Sequence, residues 1–300
     1  MVAMQDREDR EGMHPVEHPE PLEPLEPMGS RQGSELTDAM ESMEVSMRTV
    51  AIVNQKGGSG KTTMAVNLAA ALTELGERVL LLDLDPQGTA TRWLGYDSLS
   101  GSGLSTVLAS GQGLNRLVAP TDEPYVNLVP SDDWLEIAER RDFDGAAIPQ
   151  FALARALHRA QLDYSTLLID TPGRLSLLTV AALAAADEAL SPVPAGAMEL
   201  EHLRELDETV EAVRELNASL ADAKLIPWVV DRRTVLARDV SERLAARHSD
   251  RLLPGAVRKS VRAAEAFAHR QALTTFAPDH PITHDIRGLA AVFAKEVTHV

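Results

Sequence analysis

The stretch Thr49-Val50-Ala51-Ile52-Val53-Asn54-Gln55-Lys56-Gly57-Gly58-Ser59-Gly60-Lys61-Thr62-Thr63 decides the fold. Its first six residues form a short β-branched run of the kind found in strands buried on both faces. A glycine-rich loop follows. Then Met64, Leu68, Ala71, Leu72 and Leu75 recur at helical spacing up to Gly76, where a helix C-cap belongs. Strand, loop and helix in this order converge backbone N–H groups and a helix dipole on one point, which makes that point a phosphate site. Gly57, Gly58 and Gly60 let the backbone wrap the anion beside Ser59, Lys61 reaches the outer phosphates, and the Thr62 hydroxyl, followed by Thr63, is a magnesium ligand. The full pattern G-x-x-x-x-G-K-[ST] is not met, because Gln55 stands where its first glycine belongs.

The same alternation continues along the chain. Strands are expected at 79–82, 126–129, 166–169, 189–193 and 225–230, and helices at 135–141, 150–160, 175–185, 200–216, 239–248, 261–270 and 285–297. Strands alternating with helices predict an α/β domain, a mostly parallel twisted sheet with helices on both faces, over residues 48–300. Trp93, Trp134 and Trp228 are assigned to its core. His158, His202, His248 and His269 fall in separate helices without ligand-like spacing, so they are read as ordinary core or surface residues.

Residues 1–47 differ in kind. They are rich in Pro and Glu, carry 12 acidic and 3 basic residues, and nearly lack aromatics. Such a segment cannot bury enough apolar area to offset its ordering entropy, so it is expected to be a disordered acidic tail. Met47, directly before the first strand, is an alternative translation start. The chain's net charge of −16 hides an uneven distribution, because residues 224–300 carry 13 basic and 8 acidic residues. The absence of cysteine excludes disulfides, thiolate zinc sites and iron–sulfur ligation. With no run of 18 apolar residues and no signal-like start, a cytoplasmic protein without membrane association is expected.

Two acids follow predicted strands, at the ends that face the crevice of a parallel sheet. Asp85, in Asp83-Leu84-Asp85-Pro86-Gln87-Gly88, is the candidate for a water-positioning residue. Asp170 closes the apolar run Leu167-Leu168-Ile169, the form of a magnesium-organising aspartate that holds a metal-bound water.

Lys56-Gly57-Gly58-Ser59-Gly60-Lys61-Thr62 resembles the deviant phosphate loop of the ParA and MinD family of P-loop ATPases, and Asp83 to Gly88 resembles the family's D-x-D-P-Q-G stretch. The blocks Ala184 to Val193, Leu200-Glu201-His202-Leu203 and Asp231 to Thr234 are similar to the family in the same order. The resemblance implies ATP and Mg2+ as cofactors and Lys56 as a signature lysine that reaches the partner's nucleotide across an ATP-sandwich homodimer. It implies a catalytic set of Lys56, Lys61 and Asp85, and places Pro254 near the adenine. The implied function is DNA partition: the dimer coats nonspecific double-stranded DNA and a ParB-like partner stimulates hydrolysis, on the nucleoid. Two departures stand out. The family commonly reads D-T-P-P where this chain has Asp170-Thr171-Pro172-Gly173-Arg174, and Gly255 replaces an arginine that often follows the proline.

For DNA, the basic last quarter offers Arg232, Arg233, Arg238, Arg243, Arg247, Arg251, Arg258, Lys259, Arg262 and Arg270, read as within reach of one surface, with Arg232, Arg233, Arg258, Lys259 and Arg262 as candidate contacts. A MinD-like membrane-positioning ATPase is an alternative, requiring a C-terminal amphipathic helix. Another is a metabolic ATP-dependent enzyme on the same nucleotide fold, such as a ligase.

Overall fold

A computed structural model describes residues 47–96, 103–194, 196, 199–230 and 234–295 of the chain. The acidic segment 1–46, and Arg232 and Arg233, lie outside the described residues. In chain order the elements are β1 (Arg48–Ile52), α1 (Lys61–Thr73), β2 (Val79–Asp83), α2 (Thr89–Trp93), α3 (Leu104–Ser110), β3 (Ala119–Pro120), β4 (Val126–Val129), α4 (Leu135–Arg140), α5 (Ala152–His158) and β5 (Thr166–Asp170). They continue with α6 (Leu177–Ala184), β6 (Glu188–Pro194), α7 (Glu199–Arg214), β7 (Lys224–Val230), α8 (Val235–Arg247), β8 (Val257–Arg258), α9 (Arg262–Ala268), α10 (Leu273–Phe276) and α11 (Pro281–Lys295).

Among the described residues the strands form one sheet in the order β3-β4-β2-β5-β1-β6-β7-β8. Every pairing is parallel except that of β3 with β4. The alternation of side chains along each strand divides the core into two layers. Ala51, Val53, Leu80, Leu82, Leu167 and Ile169 pack beneath α3 to α8. Val50, Ile52, Leu81 and Leu168 pack beneath α1, α2 and α9 to α11. The expected doubly covered α/β sheet is therefore what forms.

Order along the sheet decides which loops meet. β1 lies between β5 and β6, and β5 lies between β1 and β2, so the loops after β1, β2 and β5 leave the same edge side by side. In register, Asp170 stands opposite both Ile52 and Asp83. The chain thus brings three segments far apart in sequence to one crevice at the strands' carboxyl ends, where open α/β sheets bind ligands.

Three expectations are corrected. Trp93 and Trp228 are 3% and 1% exposed, but Trp134 is 54% exposed. α4 buries Leu135 and Glu139, and Trp134, one position ahead of Leu135, projects about 100° away from that inner face. α8 starts at Val235 rather than 239, because the Thr234 hydroxyl accepts the Ala237 N–H at 3.2 Å and caps the helix. The basic residues of the last quarter do not share one surface. Val240 and Leu244 anchor α8 to one core layer, whereas Val257 and Ala266 anchor β8 and α9 to the other. Arg238, Arg243 and Arg247 therefore lie on the opposite side of the sheet from Arg262, since the two core layers cover opposite faces of the sheet, and Arg258 and Lys259 go with the latter side, where Arg258 bonds Asp285 of α11.

Candidate functional site: a phosphate cleft

The loop between β1 and α1 is shaped by contacts that the pattern of glycines alone does not reveal. Asn54 bridges its start: its Nδ2 donates to the Pro192 carbonyl at 2.8 Å, and its Oδ1 accepts the Lys56 N–H at 2.9 Å. The left-handed backbone falls at Gly58 and Gly60, with φ of 74° and 100°. Gln55 takes no such conformation and instead donates its side-chain amide to Thr209 Oγ1 on α7 at 3.2 Å. The missing first glycine is thus a position where this backbone does not need one. Gly60 also passes directly over Trp228: a Cβ there would lie 2.1 Å from the indole Nε1.

The cleft above this loop has a volume of about 540 Å3. Gly57, Gly58, Gly60, Lys61, Thr62 and Thr63 line it from the loop and α1, Asp85 and Gln87 from the segment after β2, and Pro172, Gly173 and Arg174 from the segment after β5. Ser59 is buried beneath the loop. Lys61 is 6% exposed and its Nζ donates to the Lys56 carbonyl at 3.2 Å. Burial lowers the Lys61 pKa, and the charges of Asp170 and Asp85 oppose that fall. Lys56, in contrast, is exposed and is not part of the cleft lining.

Three carboxylates gather behind the lysine. Asp83 is fully buried and accepts the Thr91 N–H and hydroxyl, both at 2.7 Å, and the Asp85 N–H at 3.2 Å. Burial pushes its pKa up to about 6 against the pull of the Thr91 bonds. Burial also raises the pKa of Asp85, opposed by the Gln87 N–H bond and by Lys61, Arg174 and Arg92. Asp170 is fully buried, and among the described residues neither of its carboxylate oxygens has a hydrogen-bond partner. Burial, then Asp83 and Asp85, raise its pKa well above the carboxylate range. The Thr62 hydroxyl lies close enough to counter that rise without completing a bond of normal geometry. Buried polar atoms are almost always satisfied, so two orphaned carboxylate oxygens are of the hard oxygen type that a divalent cation takes, whereas Asp83 is already occupied by the Thr91 bonds. The chemistry of the Asp170 oxygens and the nearby Thr62 hydroxyl fits magnesium.

Several contributors escaped the sequence reading. Thr91 clamps Asp83, and the Ser131 N–H donates to Thr91 Oγ1 at 2.9 Å while its hydroxyl donates to the Asp85 carbonyl at 2.8 Å. This brace comes from the end of β4 and has no motif of its own. Glu136 of α4 also reaches the cleft rim. Pro254 does not line the cleft; with Pro227, Ala237, Arg238 and Leu253 it lines a separate hollow of about 530 Å3. Of the candidate DNA contacts, Arg258 is bonded to both oxygens of Asp285, at 2.6 and 2.8 Å, and Arg262 to Glu265 at 2.7 Å. Lys259 is exposed.

Residues 47–221 match the family model described as an AAA domain. The chain is 38% identical over 251 residues to the chromosome-partitioning ATPase Soj of Thermus thermophilus, covering 83% of this chain and 96% of that protein. It is 36% identical over 224 residues to the chromosome partitioning protein ParA of Caulobacter vibrioides, covering 73% and 84%. Its fold is similar to that of cobyrinic acid a,c-diamide synthase from Mycobacterium smegmatis, solved with ADP and magnesium, at a TM-score of 0.71 and 28% identity, covering 84% of this chain and 96% of that one. A phosphate loop, an eight-stranded sheet that gathers three acids behind it, and identity running through nearly the whole length of Soj agree: the chain belongs to the ParA and Soj family of partitioning ATPases.

Proposed function

We propose that this protein is a magnesium-dependent ATPase that partitions DNA as an ATP-sandwich homodimer, with hydrolysis stimulated by a ParB-like protein. The observation that carries the reading is the contrast between its two loop lysines. Lys61 is buried in its own cleft, whereas Lys56 stands exposed and outside the cleft lining, as suits a residue that serves a second subunit's nucleotide.

In this reading the loop N–H groups and Lys61 bind the phosphates, and the charges of Asp170 and Asp85 oppose the fall in the Lys61 pKa that its burial brings. Thr62 and Asp170 hold Mg2+, which when bound neutralises charge on the outer phosphates. Asp85, fixed through its Gln87 N–H bond and the Ser131 brace on its carbonyl, orients the attacking water. Asp83 takes no part in the chemistry and ties the segment after β2 to α2 through Thr91.

DNA binding is the finer part of the proposal. Lys259, with Arg258 and Arg262, supplies the phosphate contacts on the α9 side of the sheet. Exposed ion pairs such as Arg262 with Glu265 are worth no more than about 1 kcal/mol, so a DNA phosphate competes for them. The membrane alternative fares worse, because α11 spends its apolar face in the core: Ile282, Ile286, Leu289, Ala290 and Phe293 are buried. Among the described residues no helix is long and apolar enough to cross a membrane. The similarity to a diamide synthase keeps a ligase as the second reading.

One experiment separates them. With Mg-ATP, sequence-random duplex DNA should be retained by the protein at low salt and released steeply as salt rises, through counterion release. Replacing Arg258, Lys259 and Arg262 together with Ala should flatten the log–log salt slope by about 0.9 for each DNA phosphate that is no longer neutralised. No ATP-dependent DNA retention by the wild type overturns the partition reading. ATP turnover that depends on a small carboxylic acid favours the ligase.

A further inference from the structure

Arg174 sits where the chain departs from its family's common D-T-P-P reading, and the structure gives it a defined place. Gly173 presses the loop after β5 against the phosphate loop, so that a Cβ at 173 would stand 3.1 Å from Gly57 Cα and 3.5 Å from Lys61 Nζ. The next residue, Arg174, therefore lines the same cleft as Lys61 and Thr62. Its Nη2 donates to Glu139 Oε2 at 2.5 Å, while Glu139 Oε1 accepts the Leu178 N–H of α6 at 3.1 Å. The Thr179 hydroxyl secures the Arg174 carbonyl at 2.9 Å.

These two side chains are unequal in a way that matters. Glu139 is 6% exposed and anchored at both oxygens, whereas the Arg174 side chain is 56% exposed. Among the described residues the pair uses Nη2 alone, leaving Nε and Nη1 of a planar five-donor fork for another anion. A buried carboxylate that grips one corner of an arginine at a phosphate cleft has the geometry of an orienting partner, since bidentate guanidinium recognition depends on a fixed fork.

We infer that Arg174 binds the terminal phosphate of the nucleotide in its own subunit, with Glu139 as the positioning residue that aims it. The inference rests on the ATPase reading above. Arg174 adds a second cation to Lys61 on the cleft lining and favours a triphosphate, which carries the terminal phosphate that it binds, over a diphosphate, which lacks it.

The test is calorimetric binding of a non-hydrolysable ATP analogue and of ADP, each with Mg2+, to the full chain. Arg174→Gln should weaken analogue binding about tenfold and leave ADP binding within about twofold, the loss expected for one charge-assisted hydrogen bond. Arg174→Lys, which keeps the charge but not the fork, should fall between. Glu139→Gln should reduce the analogue-to-ADP preference with Arg174 still present, and Glu139→Ala should reduce it further. An unchanged preference in both Arg174→Gln and Glu139→Gln, or an equal loss of both nucleotides, overturns the inference alone. If the wild type binds neither nucleotide, the ATPase reading fails and this inference fails with it. Should Arg174→Gln not fold, Arg174→Lys and Glu139→Gln decide.

Discussion

Gly60→Ala tests whether the phosphate loop is shaped by the protein as well as by its ligand. The backbone at Gly60 has φ of 100°, where an L side chain is strained, and an added Cβ would meet Trp228 at 2.1 Å from Nε1, 2.5 Å from Cδ1 and 3.0 Å from Cε2. Trp228 is 1% exposed and cannot swing aside into solvent. Backbone strain of this kind costs about 1–3 kcal/mol, and overpacking a tight core costs about 1–3 kcal/mol more. The sum, roughly 2–6 kcal/mol, corresponds to a fall in Tm of roughly 4–24 °C for a domain of this size. Gly57→Ala is the control, because no atom lies within 4 Å of the added Cβ and its backbone is not left-handed. It should leave Tm unchanged. Thermal denaturation of both variants without nucleotide, followed by Gly60→Ala combined with Trp228→Phe, measures the source of the cost. If the clash matters, the double variant should fall short of additivity by about 1 kcal/mol or more. A Gly60→Ala protein within about 0.5 kcal/mol of wild type would refute the reasoning, since neither the strain nor the clash with Trp228 could then be real.

Lys61→Ala should abolish ATP binding in calorimetry, because it removes the cation buried at the floor of the cleft; tight binding would move the site elsewhere. Asp85→Ala should still bind ATP but turn over at least about tenfold more slowly, as a water-orienting group acts mainly in the transition state. Asp170→Asn should stabilise the protein in EDTA at neutral pH while losing magnesium-dependent turnover. The gain is at most about 4 kcal/mol, since a costlier carboxylate would take up a proton. The raised folded pKa of Asp170 means that its penalty is absent below the unfolded value, grows as pH rises from there toward the folded value and is constant above it, so the two proteins should converge near pH 4 in denaturant titrations. A less stable Asp170→Asn protein would mean that its oxygens have protein partners after all.

The predicted sheet was legible because buried parallel strands are short, continuous apolar runs, and 126–129 is observed at those bounds. Elements stabilised from a distance were not legible. α3 is held at its start by the Ser105 N–H donating to Asp132 Oδ2 at 2.7 Å, a partner 27 positions away, and no local cap announces it. β3 and β8 are two residues each and exist only because longer strands offer an edge. The same division runs through the site. The phosphate loop and Asp170 could be read because strand, glycines and acid are contiguous, whereas Thr91, Ser131 and Glu139 act through residues remote in sequence.

The sequence by itself determined the class of sheet, the glycine-rich loop between the first strand and helix and the two acids at strand ends, since each follows from hydrophobic period or from residues within a short stretch. Only the tertiary structure decided which side of the sheet each basic helix joined, that Trp134 faces solvent, and that Asp83 rests on Thr91. It alone placed Arg174 against Lys61's cleft with Glu139 behind it. Local patterns set which face of an element is apolar, but the strand order β2-β5-β1 sets which loops become neighbours, and that order is fixed by long-range packing that no single segment encodes.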